Sequence, residues 1–163
     1  MCGKAGAGKS TLAASLAAQH AATLITEDIW MVRLFGDQMK TFDDYLRFAP
    51  RVRSVVGPLT VDLLGAGRNV VLDFPANTRV SRQWFRTLFE QARADHTLHF
   101  MDTPDRDCLQ RIGKRNEERP EGSHHLTEET FFQVSAYFQP PLADEGFRVR
   151  RYTPQDEGAA TWE

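Results

Sequence analysis

Short apolar runs alternate along this chain with longer stretches whose apolar residues recur at helical spacing. The first run, Ala22-Thr23-Leu24-Ile25-Thr26, ends on Glu27-Asp28, and the clearest, Asn69-Val70-Val71-Leu72-Asp73-Phe74, is apolar until its terminal carboxylate. His96 to Asp102 reads as a third strand, and Phe147 to Tyr152 alternates as an edge strand does. Between the runs, Ser10 to His20 is rich in Ala and Leu, and Ile29 to Gly36 is helical and stops at glycine. Thr41 with Asp44 makes a capping pattern. Pro50 to Leu64 puts Val52, Val55, Val56, Leu59, Leu63 and Leu64 on one helical face, with a kink expected at Pro58. Ser81 is the expected N-cap of a helix whose Trp84, Phe85, Leu88, Phe89 and Ala92 form the buried stripe. Thr103-Pro104-Asp105 reads as a helix start with a capping hydroxyl, carrying Cys108, Leu109 and Ile112 inward. Thr127 caps a last helix with Phe131, Phe132, Val134, Ser135 and Phe138, and the tail from Thr153 is expected to fray.

Strands separated by helices predict an α/β fold with a mainly parallel sheet and right-handed crossovers. A chain of 163 residues, 41% hydrophobic and 26% charged, reads as one domain without repeats. Its formal net charge of -2 and pI near 6.2 give no global attraction to nucleic acid or an anionic membrane. No run is apolar and long enough to span a bilayer, and the N-terminus has no signal-peptide pattern. Cys2 and Cys108 have neither metal nor disulfide spacing, so a reducing, cytoplasmic setting is expected.

The chemistry begins at the N-terminus. Gly3, Lys4, Ala5, Gly6, Ala7, Gly8, Lys9, Ser10 and Thr11 match G-x-x-x-x-G-K-[ST] at every required position. Glycines let the backbone turn with its N–H groups inward around phosphates, and the following helix points its N-terminal dipole at them. Lys9 reaches the β- and γ-phosphates in this pattern, and the Ser10 hydroxyl ligates Mg²⁺. A buried strand normally precedes such a loop, yet only Met1 and Cys2 do here, so that strand is expected to be truncated.

Other functional groups should gather where parallel strands end on the loop side. Asp28 is placed to position an acceptor hydroxyl or take its proton, and Glu27 is its neighbour; both are otherwise solvated carboxylates at a junction. Asp73 is laid out as an acid near Mg²⁺ or its water shell, with a structural N-cap as the alternative. Asn77, Thr78 and Arg79 offer an amide, a hydroxyl and a guanidinium to a substrate, or simply build a turn. Arg106, Arg111, Lys114, Arg115 and Arg119 form a basic helix running into a Pro-Glu-Gly break. Across 104–125 this reads either as an arginine lid for phosphoryl transfer or as a solvated helix balanced by its acids. His124 and His125 flank the break, while His96 and His99 sit in a strand; none completes a zinc pattern.

Taken together, the phosphate loop, Thr26-Glu27-Asp28-Ile29-Trp30, Val70 to Arg79, Arg115-Asn116 and Asp144-Glu145-Gly146-Phe147 resemble the AAA-type ATP-binding proteins grouped with small P-loop kinases. Polynucleotide 5′-hydroxyl kinases, chloramphenicol phosphotransferase and zeta toxins belong to that group. The resemblance implies a three-layer P-loop NTPase fold, its five-stranded parallel sheet in the order 2-3-1-4-5 with the truncated strand at the centre. It casts Asp28 as the substrate-side carboxylate, Asp73 as the acid after the third strand and Arg115 as a lid arginine. Polynucleotide kinases often carry an arginine shortly after the acidic pair, where this chain has Trp30 and Met31, a departure that points away from nucleic acid.

The resulting expectation is an ATP- and Mg²⁺-dependent phosphotransferase acting on a hydroxyl of a small molecule. Lys9, Asp28, Arg115 and Arg119 would be catalytic, Ser10 and Asp73 would serve the metal, and Arg111 would help hold ATP. Glu27, Asp28, Asn77 and Arg79 would face the acceptor, with residues 36–64 as a wall of its site. A nucleotide switch acting on a protein partner and a polynucleotide 5′-hydroxyl kinase are the alternatives.

Overall fold

A computed structural model describes residues 1–121 and 125–153. Its elements run α1 (Lys9–Gln19), β1 (Thr23–Thr26), α2 (Glu27–Phe35), α3 (Phe42–Gly65), β2 (Val70–Asp73), α4 (Arg79–Ala92), β3 (Leu98–Met101), α5 (Asp105–Glu118), α6 (Glu128–Ser135) and β4 (Val149–Tyr152). The expected tail from Pro154 onward, and His124, lie outside the described residues.

The strands form two parallel pairs, β1 with β2 and β3 with β4. Met1 and Cys2 lie between the pairs. Cys2 donates its amide to His99 O at 2.8 Å and accepts from the Met101 amide at 2.8 Å, as a parallel bridge does, while Met1 O accepts from Ala76 N at 2.8 Å. The amino nitrogen of Met1 reaches Leu72 O and Phe74 O at 3.4 Å. The two residues before the phosphate loop therefore lie in the seam between the two strand pairs. Cys2 is fully buried there beside Leu98, Phe100 and Ala76.

Several helix boundaries differ from the sequence reading, each for a local reason. α2 begins at Glu27, so the acidic pair opens a helix rather than closing a strand. α3 is one continuous helix holding Pro50 and Pro58, both on its exposed side, where the N–H each proline lacks costs least. Thr41 and Asp44 cap it reciprocally, as expected. Its inward ridge is Phe48, Val52, Val56 and Thr60, strict i, i+4 spacing, while Val55 and Leu59 turn out to solvent. α4 is capped by Thr78, with Ser81 three residues later as the reciprocal partner, so Ser81 is not the N-cap. At α5 the Thr103 hydroxyl bonds Ala7 O at 3.1 Å instead of capping the helix. Thr127 caps α6 as read, with Phe131 buried but Phe132 48% exposed.

Two apolar clusters flank the loop region. One packs α1 and α5 through Leu12, Ala13, Leu16, Cys108 and Ile112 with Met101, Phe131 and Tyr152. The other packs α2 and α3 on Ile25 and Phe74. Burying a side chain such as Leu12 or Phe48 contributes about 1.5–3 kcal/mol, so the helices that carry the site are held mainly by these clusters.

Candidate active site

The loop from Gly3 to Thr11 is clamped on every side before any ligand is considered. Gly3 has φ +142°, and a Cβ there would lie 2.7 Å from Met101 O. At Gly6, φ +73°, it would lie 2.5 Å from Cys108 O, so only glycine lets β3 and α5 come this close. Asn77 Oδ1 accepts the Gly3 amide at 3.0 Å, the Thr103 hydroxyl holds Ala7 O, and Lys4 Nζ pairs with Asp105 at 2.5 Å. Lys9 arches back over the loop and donates to Gly3 O at 2.8 Å and Lys4 O at 2.7 Å.

α1 starts at Lys9 with no side-chain cap at Gly8, leaving the helix dipole and first-turn N–H groups uncapped beside the exposed Ser10 and Thr11. Burial lowers the Lys9 ammonium from its ordinary value, and the charges of Asp73 and Asp28 oppose that shift. Asp73 is buried at the end of β2, opposite Thr26 in register, and Asp28 stands two residues past Thr26 on the exposed first turn of α2. Carboxylates from two adjacent parallel strand ends thus converge electrostatically on the loop lysine, where open α/β sheets bind ligands.

The family described as AAA domain matches residues 1–141. The chain belongs to that AAA domain family. No curated protein matches the sequence. Among solved structures, this AAA domain is similar to a presumed kinase from Chloroflexus aurantiacus, with a TM-score of 0.72 at 15% identity, covering 96% of this chain and 84% of that one. It is also similar to an unliganded sugar kinase from Janibacter, with a TM-score of 0.66 at 19% identity, covering 99% and 90%. The APS kinase of Mycobacterium tuberculosis, solved with AMPPNP and APS, is similar with a TM-score of 0.63 at 23% identity, covering 97% and 90%. These likenesses show a P-loop kinase fold.

The AAA domain's arginines divide. Arg111 reaches the loop, donating from Nη1 to Ala7 O at 3.3 Å and standing 3.2 Å from where a Gly8 Cβ would be. Arg115 is half-buried, and its Nε is buried without a hydrogen-bond partner among the described residues. Arg119 is exposed and ends α5 in the left-handed region, φ 47°. α5 itself is packed under the loop through Cys108 and Ile112, so the helical part of the expected lid is anchored. Within α5, Asn116 holds Leu126, donating to its O at 2.8 Å and accepting from its N at 3.1 Å.

Three residues read as acceptor-facing have other partners. Glu27 is fully buried, taking the Tyr45 hydroxyl at 2.8 Å and Arg53 Nε at 3.2 Å, because the first turn of α2 rotates it beneath α3. Its carboxylate has no exposed surface. Asn77 turns to the loop amide, and Arg79 pairs with Asp144 at 2.7 Å on the surface. Arg82, which no motif marked, is the keystone of this corner. It binds Glu145 through Nε at 2.6 Å and Nη2 at 2.8 Å, and its Nη1 reaches Ala76 O and Gln139 O, fixing the turn that presents Asn77 to Gly3. Tyr45, Arg53 and Arg82 went unread because each acts across the fold, with no local spacing to reveal it.

A magnesium nucleotide suits this residue set. Left-handed glycines, an uncapped helix start and two loop-directed cations match a polyphosphate, and Ser10 with Asp73 offers the oxygen donors Mg²⁺ prefers.

Proposed function

We propose that this AAA domain transfers the γ-phosphoryl group of ATP to a hydroxyl of a small-molecule acceptor. One arrangement carries the reading: Asp73 ends β2 opposite Thr26, and Asp28 stands exposed two residues past Thr26, beside a phosphate loop already formed around the half-buried Lys9. A hydrolysing switch needs the loop and a metal-side acid, whereas a second carboxylate on an exposed helix start is what an acceptor hydroxyl requires.

In the proposed reaction the loop amides and Lys9 bind the β- and γ-phosphates, for which Lys9 leaves the Gly3 and Lys4 carbonyls. Ser10 and Asp73 would hold Mg²⁺, which supplies charge neutralisation across the phosphate oxygens. Asp28 orients the acceptor hydroxyl in line and takes its proton as the new P–O bond forms and the bond to the β-phosphate oxygen breaks. Arg111 stays beside the loop, and Arg115 and Arg119 cover the charge of the transferring group. The helical segment 36–64 walls the acceptor side. The reducing setting suggested by two buried free cysteines supports a cytoplasmic reaction.

The experiment is a panel of hydroxylated metabolites, antibiotics, nucleosides and a short oligonucleotide incubated with γ-labelled ATP and Mg²⁺. Label in a small molecule, abolished by Asp28→Asn, supports the reading. Release of phosphate alone across the panel overturns it in favour of a switch ATPase, and label in the oligonucleotide overturns the acceptor class.

A further inference from the structure

Glu27 is buried at the point where the proposed reaction needs most precision, in surroundings poorly suited to simple stabilisation. Its partners both come from α3: the Tyr45 hydroxyl on Oε2 and the Arg53 guanidinium on Oε1. Arg53 in turn lies over the Trp84 ring of α4, 5.4 Å from its centroid, so Glu27 links the start of α2 to both neighbouring helices. A buried carboxylate with one 3.2 Å guanidinium contact regains little of its desolvation cost. Burial accordingly pushes the Glu27 carboxyl above its ordinary value, with Arg53 and Tyr45 only partly opposing, and also raises the Tyr45 hydroxyl.

The next residue is Asp28, which is exposed and whose charge acts on Lys9, Glu27 and Tyr45 together. Adjacent residues in a helical turn are in fixed geometric relation, so whatever immobilises Glu27 immobilises the Asp28 backbone. The first turn of a helix has no intrahelical acceptors for its own N–H groups and frays unless tied down. Thr26, at the N-cap of α2, makes no side-chain capping bond, and the Glu27 cluster ties the turn where a cap otherwise would.

We propose that Glu27, Tyr45 and Arg53 form a positioning network that holds the first turn of α2 and thereby aims Asp28 at the phosphoryl acceptor. The proposal rests on the reading of Asp28 as the acceptor-side carboxylate and goes beyond it by naming three residues that act through Asp28 without touching the reacting atoms.

The test compares Glu27→Gln, Tyr45→Phe, Arg53→Met and Arg53→Lys with the wild-type chain in three measurements: the Kd for Mg·AMPPNP, single-turnover phosphate release from γ-labelled ATP with water as acceptor, and hydrogen exchange of the amides of residues 30–33. Exchange there should accelerate at least about tenfold in Tyr45→Phe and Arg53→Met, with phosphate release slowed by a similar factor, and Arg53→Lys should recover part of both. AMPPNP affinity should stay close to wild type in every variant and Tm in Glu27→Gln and Arg53→Lys, whereas Arg53→Met, which leaves the buried Glu27 without its cation, should lower Tm. Unchanged exchange and turnover in all variants overturn the network, as does a uniform loss of Tm and nucleotide affinity, which marks a merely structural cluster. Exchange that shifts as expected while phosphate release stays unchanged in every variant overturns the aiming role and leaves the phosphotransferase reading intact.

Discussion

Two buried arginine–glutamate pairs in this AAA domain look alike and do opposite things. Arg82 and Glu145 are 1% and 5% exposed and meet through two short bonds, with the Leu142 amide giving Glu145 a third donor at 2.9 Å. Arg53 and Glu27 are 21% and 0% exposed and meet through one longer bond. The Arg82 guanidinium holds the Glu145 carboxyl below its ordinary value, whereas desolvation lifts that of Glu27. A carboxylate with its lone pairs satisfied is a structural rivet; one that is buried and under-compensated is retained for its geometry. The first pair supports the loop from behind, through Ala76 and Asn77, and the second sits beside the candidate acceptor carboxylate.

The largest effect expected from this contrast is on folding. Arg82→Met leaves Glu145 buried and unpaired and strips a donor from Ala76 O and Gln139 O, which should cost about 3–5 kcal/mol and lower the denaturation midpoint sharply. A near-wild-type midpoint would show that the rivet carries little load. Next is Lys9→Ala, expected to slow phosphate release from ATP by about 10²–10³-fold with little change in Tm, because its bonds are to loop carbonyls that solvent can replace. Turnover within a few-fold of wild type would take the loop out of the chemistry.

Glu27→Gln tests the other pair. It should hold or raise Tm while activity falls about tenfold, whereas Glu145→Gln should lower Tm and spare turnover at temperatures where the protein is folded. If both variants lose Tm equally, the distinction between the pairs collapses. The two carboxyls should also give opposite pH slopes. The folded value of Glu145 is below the unfolded 4.5, so its stabilisation is complete above 4.5 and lost as pH falls through the folded value. The folded value of Glu27 is above 4.5, so its contribution is favourable below 4.5 and lost as pH rises through the folded value. Wild-type-minus-variant Tm differences followed from about pH 3 to 8 should therefore grow with pH for Glu145→Gln and shrink for Glu27→Gln. The smallest effect belongs to the exposed Lys114–Glu118 pair, 3.6 Å apart, where Lys114→Ala should change stability by no more than about 0.5 kcal/mol.

The phosphate loop was legible because its chemistry depends on consecutive residues: glycines, a lysine and a hydroxyl at set spacing before a helix. The four strands and the capping of α3 and α6 were legible for the same reason, since apolar runs and hydroxyl–acid spacings act over a few residues. Thr103 and Ser81 were misread where two local patterns competed. Thr103 looks like a cap, but Ala7 O, far away in the chain, takes its hydroxyl. Asn77 likewise suits a turn or a substrate equally well until Gly3 arrives beside it.

By itself, then, the sequence determined that this chain builds a phosphate cradle on alternating helices and parallel strands, because main-chain conformation and amphipathic periodicity are written in neighbouring residues. The tertiary structure alone decided how the charged side chains divide their work. Of the adjacent acids Glu27 and Asp28, it buried the first and exposed the second. It made Arg82 a rivet, gave Arg53 to Glu27 and brought Arg111 to the loop. The electrostatic role of a carboxylate or guanidinium depends on its dielectric surroundings and on partners many residues away, and those exist only once the helices have packed.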